Sequence, residues 1–415
     1  MQKEEYPRFL ILYLGTRRLA ALVGERGAEK PKILRFAQTQ HAEGFQKGEV
    51  TQLDKALQAV EDLLKKLELG EEAFEIPTYV LLSNARLKMT RFSSSIYYQG
   101  YPKPVTAQEV RRVVEQTKSV APLPLDDWVL ELVPESFWVN DLEGVENPVG
   151  LEAQRLAVTL QIFTTSYAAF RNVSRLFESL ELKVEGYFPK TLVLPEGVLN
   201  PTEKEGEALI LDISGDTTHL VLTRENKIVQ TKSLEFGSSY FTNRIAEKWH
   251  LGPRDAECLL ERFGSLEEKL EFGEELIPLV EQNGRGNHQI KRAEFHHAFS
   301  RFGEEFMNYL HREVKHFLTQ EKLAFPQFVA TGGGVKLEGL LDALNQKFGV
   351  SVRLGAPRGT EGTPELLRDP SWAGPAGLLN WLGRQENGRP LLSSAKADLF
   401  GRTLVQVKDW LAAYF

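Results

Sequence analysis

Apolar residues run together in Arg8-Phe-Leu-Ile-Leu-Tyr-Leu14, and Gly15-Thr16 closes the run before a second β-rich stretch, Arg18 to Val23. The first run reads as a strand and the tight Gly-Thr connection predicts a hairpin. From Leu53 to Leu69 the period changes. Leu57, Val60, Leu63, Leu64 and Leu67 recur at helical spacing, and Gly70 ends the pattern. Tyr79 to Leu82 is a further short strand. From Arg91 to Thr165 the texture shifts to polar–apolar alternation. A helix opens at Thr106, with Glu109 at capping-box spacing, and Ala121-Pro-Leu-Pro124 breaks it. Two strand-like runs then flank Asn147 to Gly150, which predicts a small α+β insert of roughly 75 residues.

Ser166 to Leu182 reads as helix and Val184 to Phe188 as strand; proline and charge mark a junction at Asn200 to Gly206. The opening pattern then returns. Ala208 to Asp212 is a strand, Ile213 to Thr217 a polar turn, and His219 to Leu222 a returning strand. This internal echo predicts a duplicated scaffold with a cleft between its halves. Residues 250–320 are helix-rich and charged. Phe328 to Ala330 is a strand, Thr331-Gly-Gly-Gly334 follows, and Leu337 to Phe348 is predicted helical.

Composition narrows the class. At 415 residues the chain exceeds what one core usually spans, so two or more domains are expected. Hydrophobic residues are 42% and charged residues 26%, an ordinary globular balance. A net charge of −7 gives no support to a nucleic-acid role. The one cysteine, Cys258, excludes an internal disulfide and favours a cytosolic setting; its neighbours Leu259 and Leu260 predict a buried thiol. The first residues lack the basic start and cleavage site of a signal peptide, and no run approaches ~18 apolar residues, so no spanning helix is expected. The eight histidines show no metal-ligand spacing, and adjacent His296 and His297 point to different helix faces.

Two stretches carry candidate chemistry. The turn Asp212-Ile-Ser-Gly-Asp-Thr-Thr218 offers backbone N–H groups and the hydroxyls of Thr217 and Thr218 to an anion, while Asp212 can hold Mg²⁺ directly or through water. Gly332, Gly333 and Gly334 permit positive φ, close approach of a flat ligand and, just before a helix start, anion binding.

In this order, the two hairpin turns and the triple glycine resemble the phosphate 1, phosphate 2 and adenosine motifs of the actin/Hsp70/sugar-kinase superfamily. Within it the chain resembles the FtsA family of bacterial cell-division proteins from about Phe9 to Leu382. The matching stretches are GTRRLAALVGE, GFQKGEV, LPLDDWVLELVPESFWVND, NPVGLEAQRLAVTLQIF, LILDISGDTTHLVL, FVATGGGVKLEGL and VRLGAP.

The resemblance implies an α/β, actin/Hsp70-like two-lobed fold of ribonuclease H-like halves with an FtsA-type 1C insert. Subdomain 1A would take residues 7–92 and 166–204, the 1C insert 93–165, 2A 205–232 and 318–384, and 2B 233–317. ATP with Mg²⁺ would be contacted by Gly15, Thr16, Arg17, Asp212, Ser214, Gly215, Asp216, Thr217, Thr218, Glu257, Gly332, Gly333 and Gly334, with Asp212 on the metal. It also implies self-assembly into filaments and downstream divisome partners. The C-terminal tail of FtsZ would be captured by 2B, where Arg292 and Arg301 are candidates for its carboxylates. The protein would then lie on the cytoplasmic face of the inner membrane at the division site. A PilM-like scaffold of another envelope machine is the alternative. An actin-fold sugar kinase is a further one, for which no acceptor-binding aspartate motif is evident.

The site departs from the family pattern. Where FtsA normally reads Asp-Ile-Gly-Thr-Ser, this chain has Tyr13-Leu-Gly-Thr-Arg17. In the second turn Ser214 and Asp216 replace glycines and His219 replaces the last aspartate. Glu257 matches the ribose-contacting acid, but the neighbouring lysine position holds Leu260. A carboxylate at 216 near phosphate costs roughly 4 kcal/mol per like-charge pair at ~4 Å and an effective dielectric of ~20. Weak or absent ATPase activity and reduced nucleotide affinity are expected.

Residues 385–397 read as a linker. Asp398 then caps an amphipathic helix, 398–415, on which Phe400, Leu404, Val407, Leu411 and Tyr414 form one stripe bordered by Trp410 and Phe415. With Leu399 these are the candidate membrane residues. From Arg384 onward five basic residues face three acidic ones, 5 − 3 = +2, against −7 for the chain. That suits an anionic membrane surface, as does the membrane-targeting helix with which FtsA ends.

Overall fold

The computed structural model describes residues 6–40, 43–267, 274–280, 287–320 and 326–384. Its backbone packs as two units. Of the described residues, one unit comprises those up to Gly197, Arg358–Leu367 and 374–384; the other comprises those of Val198–Pro357 and Arg368–Ala373.

In the first unit β1 (Arg8–Leu14) and β2 (Arg18–Glu25) form the expected hairpin, followed by β3 (Lys32–Gln40). Helix α1 (Leu53–Lys66) turns Ala56, Val60 and Leu63 inward and stops where Glu68 and Gly70 adopt positive φ. After β4 (Thr78–Leu82) comes the insert: β5 (Lys88–Tyr97), α2 (Ala107–Val120), β6 (Asp127–Val139), β7 (Leu142–Val145) and β8 (Arg155–Ser166). Its antiparallel sheet runs β7-β6-β8-β5, and α2 packs Val110, Val113 and Val114 against it. The Thr106–Glu109 capping box forms as the spacing predicted. The chain re-enters the body through α3 (Tyr167–Ser179), β9 (Val184–Pro189) and α4 (Lys190–Val198). The body sheet has the order β9-β4-β1-β2-β3, antiparallel through the hairpins and parallel for β1–β4 and β4–β9.

The second unit repeats this plan. It contains β10 (Glu207–Ile213), β11 (Thr218–Arg224), β12 (Lys227–Leu234), α5 (Ser239–Trp249), α6 (Pro253–Phe263), β13 (Leu276–Val280), β14 (Asn287–Lys291), α7 (Arg292–Gln320), β15 (Gln327–Thr331), α8 (Leu340–Phe348) and β16 (Val352–Leu354). Its sheet order, β12-β11-β10-β15-β16, matches the first strand for strand: two antiparallel hairpins, then two parallel neighbours. Helix α9 (Ala373–Arg384) closes the described chain, with Leu379 against Gly24 of β2 and Asn380 donating to the carbonyls of Glu196 and Arg358.

Four features differ from the sequence reading. The helix expected from Leu337 begins at Leu340, because Gly339 takes φ +77° and a short 3₁₀ turn, Gly333–Lys336, fills the space before it. The hairpin β13–β14 interrupts the helical region. Cys258 is exposed, since α6 buries Ala256 and Leu259, and position 258 turns away from both. In grouping, residues 358–367 and 374–384 pack with the first unit rather than with 318–357.

Candidate functional site

The parallel pairing of β10 with β15, in register at Asp212 and Thr331, sets the turn Ile213–Thr218 beside the triple glycine inside the second unit. Within the turn, Ser214 N–H donates to Thr217 O at 2.9 Å. The start of α5 lies on the turn. The N–H groups of Ser238 and Ser239 donate to the carbonyls of Ser214 and Gly215 at 2.9 and 2.8 Å, and Gly237 leaves out the Cβ that would stand 2.3 Å from Gly215 O. Asp216 accepts from Ser239 Oγ at 2.5 Å. Thr218 is buried and its hydroxyl donates to Phe236 O at 2.7 Å, so that hydroxyl serves the fold. Thr217 is buried too, and its hydroxyl has no hydrogen-bond partner among the described residues.

The glycines do different things. Gly332 has φ +92°, and a Cβ there would meet Ile213 O at 2.4 Å and Asp212 Oδ1 at 2.6 Å. Gly334 is required by Ile213, whose Cγ2 would lie 2.7 Å away. Gly333 is exposed, and the nearest atom to a Cβ there is Ser371 Cβ at 3.9 Å. The fold itself does not require glycine at 333, whereas a flat ligand laid on the loop does. The loop is held from behind: Thr331 Oγ1 donates to Gly355 O at 2.6 Å and Pro370 O at 3.0 Å, and Gly332 N–H to Pro370 O at 3.3 Å. Asp369 caps the turn that follows it. Burial pushes its carboxyl up, but hydrogen bonds from the Ser371 hydroxyl and N–H and the Lys336 ammonium outweigh that and hold it below the usual carboxylate range.

The remaining candidates are more scattered. Glu257 and Leu260 are half-buried on α6. His219 is buried in β11 with Nδ1 2.9 Å from Ser233 Oγ, a polar pair across two strands. Arg292 bonds Glu275 at 2.6 Å and lies over the Phe263 ring, and Arg301 is exposed. Nine residues apart on α7, the two arginines fall on opposite helix faces, so the structure does not bring them together for one carboxylate. The linker 385–397 and the helix 398–415, with Leu399, Phe400, Leu404, Val407, Trp410, Leu411, Tyr414 and Phe415, lie outside the described residues. Among those described, no helix is long and apolar enough to cross a membrane.

In the first unit the turn Gly15–Arg17 is closed by Gly15 N–H donating to Arg18 O at 3.1 Å; Thr16 is buried and Arg17 half-buried. Tyr13 lies beneath it and accepts from the Nζ of Lys190 at 3.2 Å. Lys190 was not among the sequence candidates. Its one visible signal was a charge set in the apolar run Tyr187-Phe-Pro-Lys-Thr-Leu-Val193.

These residues fit a nucleotide at the second unit, where exposed Gly333 leaves room and Thr217 keeps a buried hydroxyl to spend. For Mg²⁺ the picture is split. Asp212 offers a carboxylate in the second unit, but the first-unit turn offers a phenol and an ammonium, which do not fit a cation that takes anionic or water oxygens. Among the described residues no group of three or more His, Cys, Asp or Glu is placed to hold a metal.

Two family profiles match the chain. "Cell division protein FtsA" matches residues 209–377, and "SHS2 domain inserted in FTSA" matches residues 85–164, the insert. Cell division protein FtsA of Escherichia coli (strain K12) is 24% identical over 414 residues, 97% of each chain. Among solved structures, the PilM–PilN type IV pilus biogenesis complex aligns with TM-score 0.64 and 19% identity, over 90% of this chain and 98% of that one. MreB5 of Spiroplasma citri bound to ADP aligns with TM-score 0.50 and 11% identity, over 90% and 95%. These likenesses agree with the paired five-stranded sheets and identify the fold as actin-like.

Proposed function

Because the chain belongs to the FtsA family of cell-division proteins, we propose that it tethers FtsZ to the cytoplasmic face of the inner membrane at the division site. It does so as a filament of nucleotide-binding subunits, each anchored through residues 398–415. The observation that carries this reading is the match to the E. coli protein over 97% of each chain, to which the profile match of the insert and the amphipathic pattern of residues 398–415 are added. One such helix is a modest anchor, since each large side chain contributes at most ~1.5–3 kcal/mol and ordering the helix opposes that. Many helices on one filament bind far more strongly, so assembly and anchoring support each other.

ATP would be held at the second unit by the turn Asp212–Thr218 and by Gly332–Gly334, with its flat part over Gly333; the Gly15–Arg17 turn is the counterpart of Asp212–Thr218 in the first unit's copy of the plan. Where Mg²⁺ accompanies it, Asp212 is the residue to hold the ion, and the ion would supply charge neutralisation at the phosphates. Asp216 opposes phosphate by charge, and the missing carboxylate at Tyr13 removes a group that positions water. Slow turnover and lowered affinity follow. In the 2B region Arg292, already engaged with Glu275, can exchange that carboxylate for one of the FtsZ tail.

Electron microscopy on lipid monolayers tests the reading. The intact chain should form filaments on anionic lipid in the presence of ATP, and a chain lacking 398–415 should leave the lipid bare. Equal lipid coating by both chains would overturn the anchor, and absence of filaments would overturn the assembly. The PilM-like alternative is favoured by the fold comparison alone. Recovery of pilus proteins in place of FtsZ in a partner screen would select it.

A further inference from the structure

The loop 121–126 joins α2 to β6 and is held from several sides. Pro122 and Pro124 fix its backbone. Leu123 N–H donates to Ala121 O at 2.8 Å, Asp127 N–H to Pro124 O at 3.1 Å, and Tyr167 N–H to Asp126 O at 2.7 Å. Ala121 and Leu123 pack on the core of the insert. Leu125, two positions on, is fully exposed. Val120, at the end of α2, is 54% exposed, and Tyr167, which begins α3, is 48% exposed. Single apolar residues scattered over a surface need no explanation. Three of them on one fixed loop and its two points of attachment mark a surface that something covers.

The place where the described chain ends narrows what covers it. Trp381 of α9 packs against the same insert core, about one turn before Arg384. Residues 385–397 then lead to the stripe of Phe400, Leu404, Val407, Leu411 and Tyr414. A linker of that length reaches about 45 Å at most, and a domain of the insert's size is roughly 30 Å across. The loop therefore lies within reach of the tail. Tethering gives the tail an effective concentration on the order of millimolar, which lets even a weak apolar contact form. Charge agrees: Asp126, beside Leu125, is exposed, and the chain from Arg384 onward carries +2.

We propose that, away from lipid, residues 398–415 fold back onto Val120, Leu125 and Tyr167, so that this loop and the membrane compete for one apolar stripe. This rests on the membrane-anchor reading above and assigns how the anchor is held in reserve. Lipid binding then begins with release of the tail from the loop, and the apparent affinity for lipid is lowered by the docked fraction.

Hydrogen exchange on the full-length protein without lipid tests the contact. The amides of Leu125, Asp126 and Tyr167 should exchange about threefold or more slowly than in a chain lacking 398–415, and phosphatidylglycerol vesicles should abolish the difference. Equal exchange in the two chains would overturn the proposal and leave the anchor reading standing. Protection that disappears on dilution would give the contact to the tail of a second copy and overturn it as well. Leu125→Ser, at a fully exposed position, should keep the cooperative thermal melt and bind the same vesicles about threefold or more tightly than wild type. Unchanged or weaker binding would overturn the competition. Absence of vesicle binding by both wild type and Leu125→Ser would overturn the anchor reading itself, and this proposal with it.

Discussion

Glu131 is a carboxyl without exposure, set between Leu130, in the core of the first unit's body, and Leu132, in the core of the insert. Oε1 accepts from the Leu132 N–H at 3.1 Å, and Oε2 has no partner among the described residues. Burial pushes this carboxyl well above its usual range, and the backbone hydrogen bond opposes that only in part. The folded protein thus holds this proton to a higher pH than the unfolded chain does. The stability linked to Glu131 is present in acid and is lost as pH rises from the unfolded value towards the raised folded one. Glu131→Gln keeps the shape without the charge. It should raise the melting temperature at pH 7, with the gain fading towards about pH 4; melting curves that stay superimposed at pH 7 would refute this. Alternation along Trp128-Val-Leu-Glu-Leu-Val133 suggests an outward face for Glu131, because a sequence cannot announce that both faces of a strand are covered where two cores meet. Gly332 was more legible: three glycines signalled special backbone, and the structure adds the reason for two of them, the approach of Ile213.

Whole elements were largely readable where local chemistry decides them. The hairpin at Gly15, the helix cap at Thr106 and the stop at Gly70 all follow from side chains within a few positions. What local pattern could not give was the β13–β14 hairpin, whose pairing joins segments that are unremarkable one by one, or the late start of α8, set by contact of Gly339 with the Leu266 backbone. The opposite faces of Arg292 and Arg301, by contrast, were readable by counting nine residues along a single helix. For α2, Thr106→Ala removes a cap in which Thr106 Oγ1 accepts from the Glu109 N–H and Glu109 accepts from the Thr106 N–H. The loss should be about 1 kcal/mol, read as faster amide hydrogen exchange at the start of α2 with the second unit unchanged. Unchanged exchange there would show that tertiary packing, not the cap, holds the helix.

At the scale of the molecule, the duplication could be read from two Gly/Thr turns, and the structure extends it to the full strand order of two sheets. The return of residues 358–367 and 374–384 to the first unit was not readable, since it depends on contacts such as Leu379 with Gly24 that no local pattern encodes. An actin-like chain whose first-unit turn carries Tyr13 should release phosphate from ATP far more slowly than an ordinary actin-fold ATPase, because a phenol cannot orient and deprotonate water as a carboxylate does. A phosphate-release assay on purified protein checks this, and ordinary turnover would exclude it. Finally, β6 leaves one hydrophobic interior and enters another without a break: Trp128 stacks on Phe170 of the body, while Phe137 and Val139 belong to the insert. A beam clamped at both ends cannot swivel. The insert and the body it is rooted in are therefore expected to move as one piece, since one strand is packed into both.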